Sequence, residues 1–338
     1  MPVNWSFERE LAQLEALGSR ALEGRKLDED EIARVHKALG HPNNYLVAKA
    51  ARIAADQSLI RLLPEALAAF DRFFVDAVTN DQQCWAKNAL AKALVKLGCK
   101  DAAVYLRGLR HHQEEPVWGG HSDTAGALRG TCTQALAGCD GLSDNDILNL
   151  LLEPFVDLDK TVRVEAARAI GSVGGSGATL VLRLRILVRK EDPEVLGACF
   201  SALLAIGDAE TKKHITLVAE YLDDGEEAAA EAAFALAETH HPAALAALIH
   251  RRNRPVDAWF SSVLDHAIAL TRLSDGVEFL LGIIESDPRR AASALEAISR
   301  VYRSAEVRAR VAQSIRRAAD ERVELAFLEH FPERATGS

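Results

Sequence analysis

Apolar residues recur along this chain at spacings of three and four, and the clearest case is Val162-Arg163-Val164-Glu165-Ala166-Ala167-Arg168-Ala169-Ile170-Gly171-Ser172-Val173-Gly174. Such spacing predicts an amphipathic helix, and the closing glycine, free to take a positive φ, predicts its stop. The same pattern returns upstream at Asn88 to Gly98 and downstream at Val195 to Gly207. Weaker copies run over Leu46 to Ala54, Leu128 to Leu136, Ala228 to Leu236, the stretch ending at Ala269-Leu270, and Arg290 to Ile298. We call these the B helices.

With Ile170 as marker, the equivalent positions are Ala54, Leu94, Leu136, Ile170, Leu203, Leu236, Leu270 and Ile298, separated by 40, 42, 34, 33, 33, 34 and 28 residues. A period near 33 or 34 is that of a unit of two helices and two turns. The partner runs, the A helices, are Leu59 to Val75, Ala102 to Leu109, Asp146 to Val156, Thr179 to Val188, His214 to Tyr221, Ala243 to Ile249 and Val277 to Ile284. Gly98, Gly174 and Gly207 close B helices, while Pro42, Pro193, Pro242, Pro255 and Pro288 mark turns or first helical positions. No strand pattern is evident. The expected organisation is an N-terminal capping region over 1–40, a repeat array over 41–300 and a C-terminal cap and tail over 301–338, the caps covering the apolar ends of the array.

A second regularity precedes the B helices, where Asp81 and Lys87, Asp123 and Arg129, and Asp157 and Arg163 are each six residues apart. An Asp at a helix head can accept backbone N–H bonds, and stacked repeats would align acids and bases into a ladder. Lys190 and Leu196 stand where the next rung would fall, so the ladder stops in the fifth repeat. Together with Asp157-Leu158-Asp159-Lys160-Thr161-Val162-Arg163 and Asp192-Pro193-Glu194-Val195, this pattern resembles HEAT repeats, in particular the bacterial HEAT-like class of the phycobilisome-lyase type. The resemblance spans about residues 41 to 300. It implies an all-α, right-handed α-solenoid (an α-α superhelix, armadillo-like) of about eight helical hairpins with terminal caps, B helices lining the concave side.

Composition agrees: 49% of residues are hydrophobic but only 6% aromatic, which suits thin, closely spaced Ala-rich helices. The net charge of -9 gives no general field for a polyanion, so general nucleic-acid binding is not expected. The start, Met1 to Glu10, lacks a basic and apolar leader, and no apolar run approaches the ~20 residues that span a bilayer. A cytoplasmic protein without membrane insertion is expected. The five cysteines show no CxxC spacing, which predicts buried free thiols rather than a disulfide framework or zinc site.

Candidate chemistry concentrates in His111-His112-Gln113-Glu114-Glu115-Pro116-Val117-Trp118-Gly119-Gly120-His121-Ser122-Asp123, a long turn between A and B helices. His111, His121 and Asp123 have the chemistry for metal ligation or acid–base work. As structural groups, the histidines would end a helix, Trp118 would plug the gap between repeats, and Asp123 would serve the ladder. His240-His241-Pro242 repeats the His41-Pro42 turn, and the glycines of Gly171 to Gly177 read as a turn, since no strand precedes them.

HEAT-like di-iron hydroxylases carry paired His-Glu motifs, and no His-Glu dipeptide occurs here. A HEAT-like DNA glycosylase would need a basic groove, for which Trp85, Trp118, Lys87, Arg129 and Arg163 are the available residues. A lyase-type enzyme or accessory subunit would use the 111–123 loop. The leading expectation is a non-enzymatic protein-interaction scaffold, with no cofactor, that grips a protein or peptide partner. The expected contacts are Lys87, Trp118, His121, Arg129 and Arg163, with Asp224, Glu227 and Glu231 from a stretch in which seven acids and no Lys or Arg separate Lys213 from Arg251. The C-terminal region has the opposite sign, with Arg300, Arg303, Arg308, Arg310, Arg316, Arg317 and Arg322.

Overall fold

The computed structural model describes residues 5–207, 209–302 and 304–331. Among these it is all-helical, with twenty α-helices, apart from short 3-10 turns and one two-stranded hairpin. Arg303, the first four residues and the tail over 332–338 lie outside the described residues. Contacts divide the chain into two compact units, Met1–Val173 and Gly174–Ser338.

In the first unit the chain begins with α1 (Trp5–Leu22) and α2 (Glu29–Leu39), both packed on the helix that follows them. The B helices are α3 (Asn44–Asp56), α6 (Trp85–Lys96), α8 (Gly126–Leu136) and α10 (Lys160–Val173). Their A partners are α4 (Leu63–Arg72), α7 (Ala102–Leu109) and α9 (Asp144–Phe155), and a single turn, α5 (Ala77–Asn80), follows α4. The B helices pack in succession, α3 on α6, α6 on α8 and α8 on α10, and α6, α8 and α10 also pack on the A helices before them, α4, α7 and α9. Alanine makes this possible: Ala50, Ala51, Ala54, Ala86, Ala91, Ala93, Ala166, Ala167 and Ala169 are fully buried, so helix axes approach closely while Leu90, Leu94, Leu128, Leu136 and Ile170 fill the remaining space.

In the second unit the B row is α12 (Pro193–Ala205), α14 (Glu226–Glu238), α16 (Ala258–Leu270) and α18 (Pro288–Val301). The A row is α11 (Gly175–Val188), α13 (Thr211–Ala219), α15 (Pro242–Arg252) and α17 (Ser274–Ser286), and α19 (Ala305–Ala318) and α20 (Glu321–His330) close the unit. Again α12, α14, α16 and α18 pack in succession, and α20 covers α18.

Local signals account for the helix ends. Pro193, Pro242 and Pro288 occupy first helical positions, and Asp28 and Ser143 make capping boxes with Glu31 and Asp146. Gly98, Gly174 and Gly207 take φ of 84, 73 and 62°, conformations that a side chain would resist. The glycine-rich stretch differs from the expected long turn. Gly171 and Ser172 lie within the last turn of α10, which ends at Val173, and Gly175 already begins α11, leaving Gly174 as the connection.

The two His-Pro turns share one mechanism. In each, the histidine Nδ1 accepts the backbone N–H two residues on, from Asn43 to His41 and from Ala243 to His241, both at 3.0 Å. All five cysteines are free and buried. No helix among the described residues is long and apolar enough to cross a membrane.

Candidate functional site

The 111–123 segment is not the expected irregular loop. It forms a β-hairpin of β1 (Glu114–Val117) and β2 (Gly120–Asp123), in register Glu114 to Asp123 and Val117 to Gly120. The turn between them is Trp118-Gly119, and Gly119 has the φ of 91° that the reversal needs. Strands of four residues, one of them Pro116, are too short to announce themselves by alternation.

Beneath the hairpin lies a buried polar network. Glu115 turns inward and its Oε1 accepts bonds from the Gln83 backbone N–H at 2.6 Å, Gln113 Nε2 at 2.6 Å and Thr124 Oγ1 at 2.8 Å. Burial raises the Glu115 pKa, but these three donors outweigh it and hold the carboxyl below its ordinary range. Gln113 Nε2 also reaches the Asp81 carbonyl at 2.7 Å, and its Oε1 faces Cys84 Sγ at 3.2 Å and His111 Nε2 at 3.1 Å. Gln83 and Cys84 both hold left-handed backbones, φ 59 and 52°, which the bonds to Glu115 and Gln113 help to offset.

The acid–base ladder exists, but it points inward. Asp81 accepts the backbone N–H groups of Ala86 and Lys87 at 2.8 and 3.0 Å, capping α6, and binds Lys87 Nζ at 3.0 Å; both side chains are 0% exposed. Arg129 joins two rungs, donating to Asp123 Oδ2 at 2.6 Å and bidentately to Asp157 at 2.8 and 3.1 Å. Arg163 donates to the carbonyls of Asp157 and Leu158 at 2.7 and 2.9 Å.

Burial thus overturns the expectation that Lys87 and Arg129 face a partner, since folding has already used their charges to tie helix heads together. Arg163 is half-buried and committed to backbone carbonyls.

The reactive-looking groups of the hairpin are likewise spent on one another. Asp123 engages Arg129, His112 Nδ1 at 2.8 Å and the backbone N–H groups of Gln113 and Ala125. Although burial opposes ionisation, these bonds hold its carboxyl well below the usual range. His111 packs against the Phe74 ring with centroids 4.9 Å apart, and burial pushes its pKa down. Cys84 is pushed up to about 11 by burial, far from a ready nucleophile. His121 is on the exposed strand β2 opposite Pro116, away from the inward Glu115 position in the alternation. Among the described residues no cluster of three or more His, Cys, Asp or Glu side chains is arranged to hold a metal ion.

Trp118 stands outside this network. It does not plug a gap between repeats; its side chain is fully exposed at the hairpin tip, beside half-exposed Val117.

In the second unit, Asp224 pairs with Arg189 at 2.9 Å, so its charge is already answered. Glu227 is exposed in the first turn of α14. Glu231 folds back over Gly197 of α12, where a Cβ would meet its Oε2 at 2.1 Å. Burial, then the nearby Glu194 and Glu238, raise its pKa.

Two features lie outside the expected set. Arg252 and Asp265 form a buried bidentate pair at 2.7 and 3.1 Å, joined by Ser293 Oγ at 2.8 Å, which tethers α15, α16 and α18. Phe234, Trp259, Val263, His266, Leu270 and Val301 line a groove of about 400 Å³. Trp259 carried the same signal as Trp118, a large ring in an aromatic-poor chain. A larger open groove of about 870 Å³, with Glu8, Arg9, Arg34 and Lys37 in its lining, has mixed charge and no dominant chemistry.

No protein-family model matches the chain, and no curated protein gives a significant match.

Proposed function

We propose that this chain is a HEAT-like α-solenoid acting as a non-enzymatic protein-interaction scaffold. Each unit's B helices stack in sequence and leave long outer faces, an arrangement suited to distributed contacts with a polypeptide. The observation that carries the reading is Trp118. A fully exposed indole on a hairpin clamped by Glu115, Gln113 and Asp123 is a preorganised aromatic anchor, the type of residue that dominates binding energy at interfaces. His121 and Val117 flank it on the same hairpin and complete the contact. The polar groups below are saturated by internal bonds, so the hairpin offers a partner shape and apolar area instead of a reactive centre.

The test is quantitative capture of protein partners from cell lysate by tagged wild-type chain and by Trp118→Ala. A true partner should fall at least tenfold in recovery with the variant, while the variant keeps the wild-type melting temperature. A partner profile unchanged by Trp118→Ala would overturn the assignment of the hairpin.

A further inference from the structure

The outer face of the B row in the second unit combines two properties that together define a ligand. On α14, Glu227, Glu231, Phe234 and Glu238 follow one another at spacings of four, three and four, so they share a stripe. On α16, Trp259, Val263, His266 and Leu270 form the facing stripe. Phe234, Trp259 and Leu270 remain 39, 49 and 37% exposed, a concentration of large apolar surface in a chain with few aromatic rings. Trp259 stacks on the buried Phe260 with centroids 6.2 Å apart, which holds one wall of the groove in place.

Apart from the Ser262 hydroxyl and Arg300, the polar groups at this groove and along its α14 stripe are acceptors. His266 Nδ1 lies 2.8 Å from the Ser262 carbonyl and so must carry its proton toward that oxygen. The remaining ring nitrogen, Nε2, is buried and has no hydrogen-bond partner among the described residues. In the neutral ring it is a lone pair awaiting a donor. Glu231 and Glu238 lie along the stripe from Phe234, Glu231 packed over Gly197 and Glu238 within 3.4 Å of Ser201 Oγ. Arg300, the one cation lining the groove among the described residues, is paired with Glu296 at 2.6 Å. A volume of about 400 Å³ falls at the small end of ligand clefts, suited to one or two side chains.

We propose that this groove seats the apolar anchor of a basic amphipathic peptide segment, whose Lys or Arg residues lie over Glu227, Glu231 and Glu238. The proposal rests on the scaffold reading and specifies its partner chemistry. The anchor enters between Phe234, Trp259 and Leu270, and a donor from the peptide satisfies His266 Nε2. The peptide's cations answer carboxylates that α14 presents without a Lys or Arg of its own.

The test uses the full chain and three fluorescein-labelled 16-residue synthetic peptides, read by fluorescence anisotropy. The first places Leu at helical spacing i, i+3, i+7 among Lys; the second replaces each Leu with Ser; the third replaces each Lys with Glu. The first should bind, and the other two at least tenfold more weakly. Trp259→Ala and Phe234→Ala should each weaken the first about tenfold, and Glu231→Gln should flatten its salt dependence, with circular-dichroism melts showing the variants folded. His266→Phe, which fills the same space without the acceptor, is the second variant should either alanine form melt early, and it should also lose affinity.

Equal affinity for the acidic peptide, binding indifferent to all four substitutions, or occlusion of the site by a self-associated dimer in sedimentation would overturn the proposal. If these peptides fail while Trp118→Ala still abolishes partner capture, the groove assignment is wrong and the scaffold reading stands. If peptide binding follows the groove variants and the Trp118 variant loses nothing, the hairpin assignment is the one that fails.

Discussion

Replacing Asp81 with Asn removes one charge and almost no volume from a site where neither partner touches water, so it isolates the electrostatic contribution of the buried ladder. The Asp81–Lys87 contact is 3.0 Å, and at an effective dielectric of about 20 two unit charges at that distance attract by about 5 to 6 kcal/mol. Desolvating both ions cancels much of this, so the pair adds little net stability over an apolar replacement.

Removing only the carboxylate is different, because the Lys87 ammonium then stays buried with the Phe73 carbonyl at 3.1 Å as its remaining strong acceptor. The capping bonds to Ala86 and Lys87 also weaken, since an amide offers them one oxygen where the carboxylate offered two. The expected loss is about 3 to 5 kcal/mol for Asp81→Asn, with the Lys87→Met and double variants closing a cycle.

Urea unfolding followed by circular dichroism reads this directly, and hydrogen exchange at α6 reads it locally. The double variant should recover at least half of the loss, as both charges have then left the interior. A loss below about 1 kcal/mol for Asp81→Asn would show that Lys87 reaches solvent and that the ladder is a surface feature.

Arg129→Met should cost a similar ~3 to 5 kcal/mol by taking the shared guanidinium from the Asp123 and Asp157 carboxylates at the heads of α8 and α10, measured by the same unfolding assay. Glu231→Gln should raise the melting temperature at pH 7 and leave it unchanged at pH 4. A carboxyl whose folded pKa is raised contributes stability below its unfolded value of about 4.3 and loses it as pH rises through the folded value, whereas the amide does not titrate. Burial pushes Cys84 and Cys139 up to about 11 and Cys199 to about 12, so iodoacetamide at pH 8 should leave these thiols unmodified in the native protein and alkylate them in urea, as mass spectrometry can count.

The helical plan was legible because it is written in local periodicity. Runs such as Ala166-Ala167-Ala169-Ile170 carry both the face to be buried and the spacing of the neighbour, and glycine or proline marks the ends. The six-residue Asp-to-Lys or Asp-to-Arg spacing also identified real ion pairs. What the spacing could not say is whether the base faces in or out. Lys87 lies in the first turn of a helix whose neighbours close over it, and that depends on Phe73 and Gln113, 14 residues before it and 26 after.

The hairpin escaped notice because its pairing replaces periodicity with register, and Glu115 gains its meaning only from Gln83 and Thr124. The groove around Trp259 is assembled from α14, α16 and α18, with Phe234, Leu270 and Val301 separated by 36 and 31 residues, so no local window contains it. The single unusual residue in each case was an aromatic. In a chain with 6% aromatic content, Trp118 and Trp259 were the readable signs of two surfaces, one on a hairpin and one shared among distant helices.

The central claim, that the chain recognises a protein partner through Trp118, is tested most directly by placing a photo-crosslinking phenylalanine analogue at position 118 and identifying the adducts by mass spectrometry. The account predicts one dominant polypeptide adduct, lost in competition with unmodified wild-type chain and absent when the same analogue replaces exposed Leu158. Adducts equally abundant from both positions, or none competed by the wild-type chain, would contradict it.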